Sequence, residues 1–163
     1  MSHIVDEGTP TKIQTLLPWL GLGARLTLGG VLFAAGAIKI PTPYKAAAAM
    51  RAYELLPNSL ASFFGYILPW FEVGLGLLLI LGVATRISGL IGTLLMVLFI
   101  GAIASAWARG LSIDCGCFGG GGKIDPSQTK YLQEIIRDIA LATCGTYLFY
   151  RPNSRFALDN RGK

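Results

Sequence analysis

Two cysteines separated by a single glycine are the residues in this sequence best suited to chemistry. Cys115-Gly116-Cys117-Phe118-Gly119 lies in a glycine-rich stretch between long apolar segments. Two thiols this close can interconvert between a dithiol and a disulfide, a change that moves two electrons. Thiol–disulfide exchange is therefore the first candidate chemistry, with Cys115 and Cys117 as the candidate catalytic residues. The sequence does not choose which of the two attacks.

Two other interpretations of this cysteine pair stay open. As a metal site it is short of ligands, because two thiolates do not complete a structural zinc shell and His3 is far away in sequence, so no metal is expected. As a permanent disulfide it would stabilise the fold little, because it closes such a short loop. The third cysteine, Cys144, lies in an apolar segment and is expected to pack as a small apolar residue.

The loop around the pair is built to adopt unusual backbone conformations. Six glycines lie between Gly110 and Lys123. A disulfide between residues two apart forces strained geometry on the residue between them, and Gly116 is well suited to accept it. Strained disulfides tend to be more oxidising than relaxed ones. The charge of Asp114 should disfavour a thiolate here, whereas that of Lys123 should favour one.

Composition indicates a membrane protein. Hydrophobic residues make up 53% of the 163 residues and charged residues 14%, against about 25% charged residues in an average soluble domain. A membrane-spanning helix needs about 20 mostly apolar residues. We expect an all-α transmembrane four-helix bundle of up-down-up-down topology. Its spans are residues 18–40, 61–82, 87–108 and 131–150, the last apolar only in its second half.

A short helix is predicted over residues 44–56, between helices one and two. Four consecutive alanines favour it, and Pro43 and Pro57 bracket it. It could lie along the membrane interface and cover the cysteine loop, or it could be a plain connector.

Helix four is expected to begin near Pro126, because Asp125 is a good N-cap, Pro126 suits the first helical position and Gln128 follows three residues after the cap. Its first turns are two-faced. The polar face needs lipid headgroups, a partner or the bundle interior; it comprises Gln133, Glu134, Arg137 and Asp138.

Two charges inside the predicted spans form a second candidate site. Arg25 lies in helix one and Glu72 near the middle of helix two. Because an unpaired charge costs about 2.5–3.5 kcal/mol at the centre of a membrane, we expect the two to face the bundle and pair. The pair is either a structural ion pair or part of a proton, quinone or substrate site, and a quinone is the one candidate cofactor.

Charge distribution sets the expected orientation. The net charge is +5, but the basic residues sit at helix ends, so nucleic acid is not an expected partner. The basic C-terminal tail favours cytoplasmic termini and places the cysteine loop outside, where disulfides persist. We expect a cytoplasmic tail at residues 1–17 rather than a signal peptide, a membrane domain at 18–150 and a basic cytoplasmic tail at 151–163.

The helix motifs carry a family resemblance. Helix two contains Leu68-Pro69-Trp70-Phe71-Glu72, and the loop reads Asp114-Cys115-Gly116-Cys117-Phe118-Gly119 with Arg137-Asp138 in helix four. Helix one contributes Arg25, Gly29, Gly30, Phe33, Gly36 and Lys39. Between about residues 24 and 150 the chain resembles the DoxX-like membrane proteins, and the cysteine loop resembles the MauE branch in particular.

The resemblance implies a four-helix membrane bundle, in a bacterial inner membrane, that is associated with thiol–disulfide chemistry. MauE-like proteins are linked to maturation of a disulfide-rich periplasmic dehydrogenase, and DoxX relatives to membrane oxidoreductase assemblies. The expected partners are membrane lipid and an extracytoplasmic thioredoxin-like protein. The alternative is a non-catalytic accessory subunit of a larger membrane oxidoreductase or respiratory complex, in which the cysteines form a permanent staple.

Overall fold

The computed structural model describes residues 12–152 and 156–158, with side chains from residue 16 onward. Five α-helices follow one another: α1 Lys12–Lys39, α2 Pro43–Ala52, α3 Asn58–Leu81, α4 Thr85–Ala108 and α5 Tyr131–Tyr150. Between α4 and α5 the chain forms a small antiparallel hairpin, β1 Ile113–Asp114 and β2 Gly122–Lys123, and then a 3-10 turn, Pro126–Gln128.

The four long helices pack together, with α1 against α3 and α5, and α4 against α5 and α3. Close glycine contacts show that α1 and α3 run antiparallel: a Cβ at Gly29 would lie 2.9 Å from Leu79 Cβ, and one at Gly36 would lie 2.5 Å from the Pro69 carbonyl oxygen. The core between the helices is aliphatic and includes Leu28, Leu32, Leu75, Leu79, Met96, Leu141 and Leu148.

Three of the described helices are long and apolar enough to cross a membrane by length and composition: Leu16–Lys39, Asn58–Leu81 and Thr85–Ala108. The fourth long helix, α5, coincides with the predicted span 131–150 but carries Glu134, Arg137 and Asp138 in its first half. The chain thus has the expected all-α, membrane-type fold.

Two local predictions need correction. The short helix ends at Ala52 rather than Leu56. Helix α5 begins at Tyr131 rather than near Pro126, because Thr129 is extended (φ −68°, ψ 132°) and separates α5 from the 3-10 turn. The cap at Asp125 is present, and its carboxylate accepts the Ser127 N–H at 2.9 Å. The two-residue strands of the hairpin were not predicted.

The two predicted tails fall largely outside the described residues. Residues 1–11, 153–155 and 159–163 are not described. The charges used to orient the C-terminal tail, such as those of Arg155, Arg161 and Lys163, therefore stay predictions.

Candidate functional site

The cysteine loop lies directly beneath α2, as one of the two interpretations of that helix predicted. Gly116 has a left-handed backbone (φ +71°), and a Cβ at this position would lie 2.6 Å from Ala49 Cβ. Gly121 approaches Ala49 just as closely. Glycine is therefore required between the two cysteines both by the backbone angle and by the contact with α2.

Tyrosines at two helix ends fix the start of the loop. The hydroxyl of Tyr131, the first residue of α5, accepts the Ile113 N–H at 2.9 Å and donates to the Leu111 carbonyl. The hydroxyl of Tyr53, at the end of α2, donates to the Cys115 carbonyl at 3.3 Å. Ile113 and Tyr131 pack in one buried cluster with Ile103 and Ala106 of α4. The cysteines thus follow a segment anchored to three helices.

The structure holds both cysteines as free thiols in direct contact. The Cys117 N–H donates to Cys115 Sγ at 3.2 Å. Cys117 is buried and Cys115 is half-buried. A hydrogen bond between the two thiols raises the pKa of Cys115, with burial adding to the effect, and lowers the pKa of Cys117. Cys117 is therefore the thiol that ionises first, although it is the more buried of the two.

Carboxylates surround Cys115. Side-chain oxygens of Asp114 and Glu134 and the Sγ of Cys115 all lie within 4.8 Å of one another. Asp114 Oδ1 also accepts the Gly116 N–H at 2.8 Å, which shapes the turn between the cysteines. Glu134 lies within hydrogen-bonding reach of the Cys115 thiol. The charge of Glu134 adds to the raised pKa of Cys115, an effect that was not predicted. The effect expected of Asp114 stays a prediction.

Positive charge surrounds Cys117. Besides the hydrogen bond from Cys115, the charges of Arg137 and Lys39 lower the pKa of Cys117, opposing the effect of burial. The Arg137 guanidinium lies 5.2 Å from the centre of the Phe118 ring, a cation–π contact. It also donates through Nε and Nη2 to Asp138 Oδ1, at 2.9 and 2.8 Å. Glu134, Arg137 and Asp138 of the predicted polar face of α5 thus turn toward the bundle, whereas Gln133 is exposed.

The predicted pair of Arg25 and Glu72 does not form. Glu72 accepts two hydrogen bonds from Lys39 Nζ, at 3.0 and 2.8 Å, and both side chains are buried. Arg25 is buried elsewhere and donates to the carbonyls of Ile80, at 3.3 Å, and Phe156, at 3.4 Å.

The packing register of the first two long helices explains this error. Gly36 faces Pro69, so the last turns of α1 lie opposite Glu72. Arg25 is 11 residues earlier in α1, about 16 Å along the helix axis. Lys39 was expected to flank the membrane, but its long side chain folds back into the bundle to reach Glu72.

A small cavity of about 20 Å³ joins the two buried ion pairs to the loop. Glu72, Cys117, Arg137 and Asp138 supply its polar lining, and the apolar lining comes from Val31, Leu32, Ala35, Met96, Phe99, Phe118 and Leu141. This volume holds about one water molecule. Ligand pockets have volumes of about 300–1,000 Å³, so the cavity does not fit a quinone ring.

Two other cations and the third cysteine have structural roles. Lys123, expected to favour a thiolate, instead lies 3.5 Å from Glu54 on the exposed surface. Arg86 lies 4.9 Å from the centre of the Phe149 ring. Cys144 packs against the aliphatic core, as predicted.

Among the described residues, sequence reasoning missed Lys39 and Glu134 as neighbours of the cysteines. The one available signal was the position of each residue in its helix: Lys39 ends α1, and Glu134 lies in the first turn of α5.

Comparison with known proteins assigns the family. The family model described as "Methylamine utilisation protein MauE" matches residues 17–151. A protein of Methylophilus methylotrophus named "Methylamine utilization protein MauE" is 33% identical over 133 residues, covering 80% of this chain and 68% of the relative. A protein of the same name from Methylorubrum extorquens is 44% identical over 75 residues, which are 45% of this chain and 40% of that relative. No solved structure matches. The MauE part of the resemblance is confirmed, and the chain belongs to the MauE family.

Proposed function

We propose that this protein performs thiol–disulfide exchange at the outer face of a bacterial inner membrane, in the service of methylamine utilisation. Cys115 and Cys117 form the redox pair, and a thioredoxin-like protein is the partner. The observation that carries the proposal is the opposite polarisation of two touching thiols, with Cys117 next to Arg137 and Lys39 and Cys115 next to carboxylates. A loop whose disulfide is only a permanent structural cross-link would not need two thiols of different pKa.

The asymmetry assigns a role to each sulfur. A partner thiolate attacks Cys115 Sγ of the disulfide, forms a mixed disulfide and expels Cys117 as a thiolate. Cys117 is the better leaving group because its pKa is lowered, and Cys115 is the less buried sulfur. The partner's second thiolate then attacks its own half of the mixed disulfide and expels Cys115. Two electrons and two protons pass from the partner dithiol to this pair, and the reverse sequence returns them.

Glu134 has a place in the second of these steps. The departing Cys115 has a raised pKa and needs a proton as it leaves. Glu134 lies within hydrogen-bonding reach of that sulfur and also lines an open cleft of about 450 Å³ with Asp114 and Lys130. It can therefore supply a proton taken from solvent. This cleft is the side from which we expect the partner to approach.

The proposed setting is the one that exchange requires. Termini in the cytoplasm place the loop outside, in an oxidising compartment. The relatives are named for methylamine utilisation, and a client of this chain in that process is a disulfide-rich periplasmic dehydrogenase.

Trapping of a mixed disulfide tests the function. Purified Cys117→Ser protein is mixed under a mild oxidant with a reduced thioredoxin-fold protein whose second active-site cysteine is replaced by serine, and cross-linked species are separated on non-reducing gels. We expect a reductant-sensitive adduct through Cys115, because the sulfur that would release it is missing. Cys115→Ser should give much less adduct, and Cys144→Ser, the matched control, should behave as wild type.

The accessory-subunit alternative predicts a different pattern. If neither cysteine variant forms an adduct and secreted disulfide proteins oxidise normally in cells carrying both serine substitutions, the exchange function is wrong. A membrane complex that is lost in the same cells would then identify the chain as a structural subunit. Normal recovery of such complexes with defective disulfide formation supports exchange.

A further inference from the structure

The buried acid Asp138 lines the cavity beside Cys117 and has one oxygen paired with Arg137 and one oxygen without a partner. Both nitrogen contacts from Arg137 go to Oδ1. Within the described part of the chain, buried Oδ2 has no hydrogen-bond partner. Asp138 is 1% exposed and lines the same cavity as Cys117 and Glu72. A buried oxygen without a partner is costly unless a proton or a water satisfies it.

Charge balance around the cavity shows when that proton is needed. With the disulfide formed, the positive charges of buried Lys39 and partly exposed Arg137 balance the negative charges of Glu72 and Asp138. Ionisation of Cys117 in the dithiol form adds one negative charge to this cluster. An uncompensated buried charge is strongly unfavourable. Protonation of Asp138 removes the excess, and the cavity has room for about one water to carry the proton between the two groups.

We propose that Asp138 and Cys117 share one proton in the dithiol form, so that Asp138 is the redox-linked proton store of this site. The inference rests on the proposed exchange function and deepens it. Reduction by a partner dithiol delivers two electrons and two protons. One proton stays on Cys115, and the other is shared between Cys117 and Asp138. On reoxidation Cys117 becomes part of the disulfide, and Asp138 gives up its share of the proton.

The other titratable groups around Asp138 do not replace it in this role. Tyr53, at the end of α2, stays neutral because burial raises its pKa. Glu72 of α3 is committed to Lys39 of α1 through both of its oxygens. The cavity residues from α4, Met96 and Phe99, have no ionisable group. The remaining charged neighbours on α5 are Glu134 and Arg137. Glu134 also has a buried oxygen, Oε2, without a partner, but it lines the open cleft and not the cavity beside Cys117.

Infrared difference spectroscopy tests the proposal directly. The purified protein is reduced with dithiothreitol, and the reduced-minus-oxidised spectrum is recorded in ordinary and heavy water. We expect a positive band from a protonated carboxylic acid that shifts in heavy water and moves when aspartate carboxyls carry ¹³C. Asp138→Asn should abolish the band, and Asp125→Asn, which alters an exposed carboxyl of the 3-10 turn, should retain it.

Proton counting gives a second, independent readout. In the wild-type protein the pH dependence of the reduction potential should correspond to the uptake of two protons per two electrons around neutral pH. Asp138→Asn keeps the shape of the side chain but cannot be protonated. In the pH range in which Cys117 is ionised, proton uptake on reduction should therefore fall toward one proton per two electrons. Alkylation of Cys117 in this variant should also begin at lower pH.

Several outcomes would overturn the inference. These are the absence of any carboxylic-acid band in reduced wild type, a band that aspartate labelling leaves in place, and a band that Asp114→Asn or Asp125→Asn removes. If Asp138→Asn fails to fold, the labelling experiment still shows that the band comes from an aspartate, and its retention in Asp114→Asn and Asp125→Asn assigns it to Asp138 among the described aspartates. The infrared experiment uses dithiothreitol in place of the partner, so its outcome does not depend on the exchange function. If the mixed disulfide is trapped but the carboxylic-acid band is missing, only the proton-store proposal is refuted. A band without trapping refutes only the exchange function.

Discussion

Lys39 donates hydrogen bonds to both carboxylate oxygens of Glu72 inside the bundle, at 3.0 and 2.8 Å. This pair joins the end of α1 to the middle of α3 and supplies one of the positive charges that favour a Cys117 thiolate. The same contact therefore serves packing and the electrostatics of the proposed redox pair.

Removing one partner of this ion pair should destabilise the protein. Lys39→Met leaves Glu72 as an uncompensated buried charge, and the expected loss is about 3–5 kcal/mol in the free energy of unfolding. The double variant Lys39→Met/Glu72→Met should recover much of that loss, because two apolar side chains replace both charges. Unfolding in detergent measures both effects. A double variant no more stable than the single one would show that the pair is not the cause.

Cys117 should be the more acidic thiol. The alkylation rate of each cysteine in reduced Cys144→Ala protein can be followed against pH by mass spectrometry. Because only the thiolate reacts and the pKa of Cys117 is lowered, its rate should reach half-maximum below that of an ordinary cysteine. Cys115, whose pKa is raised, should do so above it. The reverse order of midpoints would contradict the assignment of Cys117 as leaving group.

The positive charge of Arg137 should keep the pKa of Cys117 low. Arg137→Met removes the cation nearest Cys117, so the half-maximum of Cys117 alkylation should move to higher pH. Arg86→Met is a matched control, because Arg86 also lies against an aromatic ring, at 4.9 Å from the centre of Phe149. It should leave the alkylation profile unchanged. An equal shift in both variants would indicate a general loss of packing instead.

The glycine between the cysteines should be intolerant of substitution for two separate reasons. Gly116→Ala places a non-glycine residue at φ +71°, at a cost of about 1–2 kcal/mol, and its Cβ would also meet Ala49 at 2.6 Å. Gly110→Ala has nearly the same backbone strain, at φ +68°, with nothing within 4 Å of the new Cβ. We expect the first variant alone to slow disulfide formation strongly, as measured by the rate of oxidation after dithiothreitol removal. Equal rates in the two variants would exclude the contact with α2 as the cause.

Sequence patterns predicted those features that depend on local chemistry. Long apolar runs gave the four helices, and α5 coincides with the predicted span 131–150, although a start near Pro126 was expected. The special backbone of Gly116 followed from its place between two cysteines, and its positive φ agrees.

Features that depend on the packing of distant segments were not predictable in the same way. The partner of Glu72 depends on the register set by Gly36 and Pro69, which no single segment reveals. Which way the polar face of α5 turns depends on the loop folding back beneath α2. The meeting of Cys115 with Glu134, and of Cys117 with Arg137, follows from those two packing choices.

The redox state of Cys115 and Cys117 in native membranes tests the central claim most directly. Membranes are quenched with acid, free thiols are tagged with a mass label, and the two cysteines are scored before and after a brief exposure to dithiothreitol added outside. The account predicts that the pair opens to the dithiol, and that it closes again when an oxidised thioredoxin-fold protein replaces the reductant. A pair that stays closed throughout, or one that external reductant reaches only after the membrane is broken, would contradict it.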